Sequence, residues 1–187
     1  MLPAGDEIKT PSPISLFIIV LFPEASFIEY RDLDKLKARQ DFIQRNKHQN
    51  GRFAEAPYDY KKDAIRFCHK VYAYSDLAYE LIDQEYTDWL VWLDADTLCT
   101  SKFTADDAAK LLPDDSDVVH LGRTDIDYSE TGFVGWNMGM HNAASMIVDI
   151  RGAYDTNEIF GYREWTDAFI FERLLNIYIQ STWNKSF

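Results

Sequence analysis

The five residues from Trp89 to Leu93, Trp-Leu-Val-Trp-Leu, form a continuous apolar run of aromatic, branched and β-branched side chains that stops at Asp94-Ala95-Asp96. A run of this length and composition reads as a strand buried on both faces of an α/β sheet. In open α/β sheets ligands gather at the carboxyl ends of strands, so two carboxylates placed there, one residue apart, mark where a site is expected. An isolated Asp-x-Asp is a weak pattern in an acidic chain. Its position after a buried strand sets it above Asp106-Asp107 and Asp114-Asp115, which read as solvated turn or cap residues.

Around this strand the chain alternates between helical and extended signals. Ile14 to Phe22 reads as a buried strand or a docked segment, and Phe27-Ile28-Glu29-Tyr30 as a short strand. Leu33 to Asn46 reads as a helix with Asp32 or Asp34 near its start. Gln49-Asn50-Gly51 is a turn signal. From Tyr60 to Ser75 or beyond apolar residues recur at helical spacing, among them Ile65, Phe67, Val71 and Tyr72, and Leu77 to Asp83 continues or restarts the helix. Val118 to Leu121 and Phe133 to Met140 are further strand candidates, and Glu164 opens a last helix.

The chain has 187 residues, 47% of them hydrophobic, which is enough for one core, so residues 1–187 are expected to form a single domain. The net charge of -12 would repel a phosphate backbone and argues against nucleic acid as a partner. An acidic protein that handles an anionic nucleotide must recruit a divalent cation or a few well-placed bases. Cys68 and Cys99 have neither zinc-site spacing nor the density of a disulfide scaffold, so a cytoplasmic location is expected. The Ile14 to Phe22 run is too short to span a bilayer, and no membrane span is expected.

Hard oxygen ligands suit Mg²⁺ or Mn²⁺, which are commonly held by one or two carboxylates plus substrate phosphates, so Asp94 and Asp96 are sufficient in kind. Three blocks then occur in order: Asp63-x-x-Arg66-Phe67-x-x-Lys70-Val71-Tyr72-Ala73, Trp92-Leu93-Asp94-Ala95-Asp96-Thr97, and Glu164-Trp165-Thr166-Asp167-Ala168-Phe169. With these blocks, the stretch from Tyr58 to Leu174 resembles the GT-A nucleotide-diphospho-sugar transferases, in particular the glycogenin-like and fungal galactosyl- or mannosyltransferase-like families. The resemblance implies an α/β fold of GT-A, Rossmann-like type, a mixed sheet flanked by helices. It implies transfer of a hexose from a UDP- or GDP-sugar to a hydroxyl of a glycan, lipid or protein, assisted by Mn²⁺ or Mg²⁺. By the same likeness Asp94 and Asp96 would hold the metal, Arg66 and Lys70 would face the donor's sugar or phosphates, and Asp63 would help to hold the donor sugar. Asp167 would lie beside the reacting anomeric carbon. The glycine-containing block from Glu130 to Met140 would line the sugar and acceptor side, which brings in Thr131, Gly132 and Asn137.

Each residue also has a plainer reading. Arg66 and Lys70, four apart, share a helix face and could form a solvated stripe with Asp63. Glu164 and Asp167 suit the first turn of a helix, where carboxylates favour the dipole, and on that ground alone Glu164 reads as a cap. Trp165 is balanced between a core position and a sugar platform. His48, His69, His120 and His141 are scattered, and each reads as structural or surface.

The match departs from the family in two places. Related transferases begin with a base-binding strand and loop, whereas here Thr10-Pro11-Ser12-Pro13 leads into a run that does not fit that role. They also commonly supply a late metal-ligating histidine, and none follows His141. The expectations are therefore a minimal GT-A enzyme, a truncated one, or a domain that binds a nucleotide-sugar or a protein partner without turnover. A haloacid-dehalogenase-like Mg²⁺ phosphatase also places Asp-x-Asp after an apolar strand, but there the strand opens the domain.

Overall fold

A twenty-residue helix, α2 (Ala64–Asp83), is the axis on which the rest of the chain is arranged. No Gly or Pro interrupts it, and the Asp63 carboxylate caps it by accepting from the Arg66 amide at 2.9 Å. Ala64, Cys68, Val71, Tyr72, Ser75 and Ala78 recur at intervals of three and four and are all buried. The computed structural model describes residues 15–18, 29–53, 56–98, 100–102, 104–122 and 128–183.

Before α2, strands β1 (Ser15–Ile18) and β2 (Glu29–Asp32) pair antiparallel. A 3-10 turn, Leu33–Lys35, is capped by Asp32 and leads into α1 (Lys37–Asn46). The expected strand at Phe27 therefore starts at Glu29 and runs on to Asp32, with Phe27 and Ile28 outside the described residues, as are Ile14 and residues 19–22. After α2 come β3 (Trp89–Leu93), α3 (Ala105–Leu111), β4 (Val118–Leu121), β5 (Glu130–Asn137), α4 (His141–Asp155) and α5 (Asp167–Trp183). Strands β3 and β4 match their expected limits, while β5 and α5 each start three residues from the expected point.

The architecture is mixed α/β: among the described residues, five helices, the two-stranded pair and a three-stranded antiparallel sheet in the order β3-β5-β4. Leu90 pairs with Trp136 and Trp92 with Val134, so these four share one face. That face meets the helices: Tyr74 of α2 lies 4.8 Å from the Trp136 ring and 5.9 Å from Trp92, and Phe171 of α5 packs edge-on to His120 of β4. The other face is less covered, and Leu93 is exposed. Strand β3 is thus buried on one face rather than both. It pairs only with β5 among the described residues, and on its other side Trp89 and Val91 are half-buried and Leu93 is exposed. What packs there is local. Around Gly135 the side chains of Val119, Leu112 and Trp89 close to within 3.2 Å of where a Cβ would stand, so only glycine admits them.

The same core continues between the helices. Phe42 of α1 is fully buried between Tyr72, Tyr154 and Phe160, with ring centroids 5.8, 5.4 and 6.2 Å away. Arg151 is buried beside them, its guanidinium over the Tyr72 ring and bonded to Asp155 and the Ser75 hydroxyl, so its charge is paired rather than stranded. Among the described residues no helix is long and apolar enough to cross a membrane.

The turn at Gly51 fixes how the chain enters α2. Its φ of 72° lies in the left-handed region, and a Cβ there would stand 2.5 Å from the Asp59 carbonyl oxygen. Its amide donates to the Lys62 carbonyl and its carbonyl accepts from the Asp59 amide. Gly51→Ala is expected to cost about 1–3 kcal/mol, read as a lower urea midpoint at unchanged slope. An unchanged midpoint would show that the turn relaxes freely.

Candidate functional site

The ladder between β3 and β5 continues one step past the strand, with the Asp94 amide donating to the Gly132 carbonyl at 2.8 Å. The chain then turns away, the Thr97 amide closing on the Asp94 carbonyl. Asp94 is thereby held at the strand's carboxyl end, facing the start of β5. The Trp92 indole N–H donates to Asp94 Oδ1 at 2.6 Å, so the strand that delivers the carboxylate also orients it.

Lys70, on α2, reaches the same oxygen. Its Nζ lies 2.9 Å from Asp94 Oδ1 and 3.0 Å from Asp167 Oδ2, and it also donates to the carbonyl and hydroxyl of Thr131. The Thr131 hydroxyl in turn donates to Asp167 Oδ2 at 2.8 Å. Asp167 stands in the first turn of α5, whose start is capped by the Thr166 hydroxyl accepting from the Phe169 amide. One lysine therefore ties the end of β3, the start of β5 and the start of α5 into a single cluster.

The cluster lines a cleft of about 420 Å³, together with Tyr60, Arg66, Phe67, Tyr128, Glu130 and Glu164. On the far wall Glu164 Oε1 accepts from the Tyr128 hydroxyl at 2.7 Å and from Lys61 at 3.1 Å. Lys61 is carried there because the Trp165 amide donates to the Lys61 carbonyl at 2.7 Å. Burial opposes ionisation of Glu164, but the bonds from Tyr128 and Lys61 outweigh it and hold the carboxyl below its ordinary range. The Lys61 ammonium is raised, chiefly by the same bond.

A depressed carboxyl contributes stability above its unfolded value, and that contribution is lost as pH falls through the lower folded value. Glu164→Gln is therefore expected to weaken the fold at neutral pH and to remove part of the loss that the parent shows below its ordinary value of 4.5. Urea midpoints of both proteins from neutral pH to about pH 3 check this. Parallel curves would exclude Glu164 from the acid transition.

The cleft wall carries four carboxylates, Asp94, Glu130, Glu164 and Asp167, and among its lining residues only Arg66 and Lys70 oppose them. An anionic ligand would need a further positive charge to enter. Asp94 Oδ2 has no protein hydrogen bond among the described residues and borders the space left by Gly132, where a Cβ would stand 3.3 Å from it and 3.2 Å from Glu130 Oε1. Asp96 is exposed on the following turn and has no ion pair among the described residues. No group of three or more Asp, Glu, His or Cys side chains encloses a metal among the described residues. These carboxylates suit a hard cation that completes its shell with ligand phosphate and water, rather than one caged by protein alone.

Of the residues singled out from the sequence, Arg66, Lys70, Asp94, Thr131, Glu164 and Asp167 line the one cleft, with Gly132 against Asp94. Asp63 lies in the adjoining depression, bonded to the Tyr58 hydroxyl and the Arg66 amide. Asp96 stands outside the lining. Asn137 is not brought to the site: it pairs with Trp89, at the opposite end of β3 from Asp94, and its side chain holds the Asp114 carbonyl and the Gly139 amide. Because β5 starts at Glu130 and runs antiparallel, the five residues from Gly132 carry Asn137 roughly 17 Å away. Trp165 belongs to the core, packed edge-on to Phe160 under the Lys62 ammonium. Glu164 is not a helix cap, since Thr166 takes that role. Tyr60, Tyr128 and Glu130 were not assigned from the sequence. Glu130 opens the glycine-containing block, which was its only signal.

Compared with models of known protein families, with curated proteins and with solved structures, the chain matches none.

Proposed function

We propose that this chain is a metal-assisted hexosyltransferase of the GT-A type, acting on a nucleotide-diphosphate sugar and a hydroxyl acceptor. The observation that carries the reading is the meeting of Asp94 and Asp167, one from each of two separate sequence blocks, on the Lys70 ammonium of the third. A Mn²⁺ or Mg²⁺ ion on Asp94 and Asp96 would neutralise the charge that grows on the leaving diphosphate.

The chain's own residues have distinct tasks. Lys70 fixes the orientation of both carboxylates before ligand arrives, which lowers the cost of ordering them on binding. Arg66, one helical turn away on the same wall, adds positive charge for phosphate or sugar oxygens. Asp167 keeps Oδ2 on Lys70 and Thr131 and offers Oδ1, a negative group for the positive charge that develops at the anomeric carbon as its bond to phosphate breaks. Glu164 and Tyr128 offer polar groups to sugar hydroxyls.

Calorimetric titration of UDP- and GDP-hexoses, with Mn²⁺ and with EDTA, tests the reading. Saturable binding that requires the metal is expected. If the folded protein binds neither donor, the transferase reading fails. Metal-dependent hydrolysis of an aryl phosphate in the same preparation would move the chain to the phosphatase alternative.

A further inference from the structure

Next to the cleft lies a second depression of about 360 Å³, lined by Asn50, Arg52, Tyr58, Asp63, Ile65 and Arg66. Arg66 lines both. The chain has 31 acidic and 19 basic residues, and most of its described arginines have an acceptor. Carboxylates or carbonyls hold Arg31, Arg39, Arg45, Arg151 and Arg163. Arg52 and Arg66 are both exposed, and among the described residues neither guanidinium has a hydrogen bond or an ion pair; the nearest partner of Arg66 is the Phe67 ring at 5.8 Å. Arg173, the other guanidinium without a carboxylate or carbonyl partner among the described residues, lies over the Tyr162 ring at 5.0 Å, whereas Arg52 and Arg66 share one depression that opens beside the cleft.

We propose that this depression is the acceptor subsite and that it takes a sugar bearing an oxyanion, a phosphate ester or a carboxylate, held between Arg52 and Arg66. Guanidinium forks match both groups with paired charge-assisted hydrogen bonds. The exposed Tyr58 ring offers an apolar face for the sugar. One carboxylate, Asp63, also lines the depression, but its two oxygens accept from the Arg66 amide and the Tyr58 hydroxyl. The depression therefore carries one more positive than negative charge, in contrast to the carboxylate-rich cleft. Arg66 precedes Lys70 by four residues, about 6 Å along the helix axis. An anion gripped by Arg52 and Arg66 would thus leave the rest of a single hexose ring to reach toward the Asp167 side of the cleft. The acceptor role rests on the transferase reading; the anion site itself does not.

The test is titration of a hexose 6-phosphate, a hexuronate and the neutral parent hexose into the full chain without donor, repeated on Arg52→Gln and on Arg66→Gln, with circular dichroism to check folding. Either anion is expected to bind roughly tenfold or more tightly than the neutral sugar, and each variant is expected to lose that advantage. The better of the two anions names the source of the charge. Equal binding of charged and neutral sugars, no saturable binding of either anion, or anion binding untouched in both variants overturns the subsite. Donor titrations on the same preparation separate the two ideas. Donor binding without anion binding removes this subsite alone. Arginine-dependent anion binding without donor binding leaves the anion site and removes its role as an acceptor site.

Discussion

Asp94→Asn is expected to lower transfer from the preferred donor by roughly 10²–10³-fold and to abolish the difference between Mn²⁺ and EDTA in donor binding. Asparagine keeps the size of the side chain and can still accept from the Trp92 indole and from Lys70, so the local packing survives. What it loses is the negative charge of the open oxygen beside Gly132, the property a cation would use. The measurement is paired: initial rate of transfer, and calorimetric donor affinity with and without metal. A variant that retains metal-dependent binding would remove Asp94 from the metal site, whatever happens to the rate. Asp96→Asn, on an exposed turn with no ion pair among the described residues, is the companion whose stability should not change.

The second large effect is one of stability. Lys70 keeps 15% of its side chain in water and Asp167 keeps 7%, so Lys70→Met leaves two carboxylates facing one another with their shared cation gone. The expected loss is about 3 kcal/mol, the low end for breaking a buried pair, because Asp94 remains 35% exposed and can turn toward solvent. Equilibrium urea unfolding measures it. The double variant Lys70→Met/Asp167→Asn should regain part of the loss, since it removes the charge that was left uncompensated. If the double variant is no more stable than the single one, the loss comes from packing of the lysine stem and not from charge.

The elements legible in the sequence were those whose own residues decide them. The Trp89 to Leu93 run and the Val118 to Leu121 run are apolar from end to end, and the structure has strands at those limits. Helix α2 was legible because its periodicity persists over twenty residues without Gly or Pro. Strand β5 was legible only from Phe133. Its first three residues, Glu130, Thr131 and Gly132, include a charge and a glycine and read as loop, but Leu121 and Asp94 supply their partners from elsewhere in the chain. Asn137 was placed at the site because the resemblance treats the whole Glu130 to Met140 block as one lining segment, whereas an extended strand carries its far end away from Asp94 and only Glu130, Thr131 and Gly132 stay beside it. The start of α5 was legible in principle: Thr166 is a better cap than Glu164, and the preference for an acidic first turn obscured it. The Asp94 position followed from the strand. Its link through Lys70 to Asp167 joins residues 97 positions apart, and no local signal carries such a contact.

The bond from the Trp165 amide to the Lys61 carbonyl has a consequence for how the cleft can change over time. It registers the approach to α2 against the approach to α5 through main-chain atoms, so the Lys61 and Glu164 side chains can change while the two walls keep their alignment. Selection for a different ligand can therefore act on Lys61, Glu164 and their neighbours without first having to rebuild the scaffold. Among single substitutions it is proline at position 165, which has no amide hydrogen to give, that would uncouple the walls.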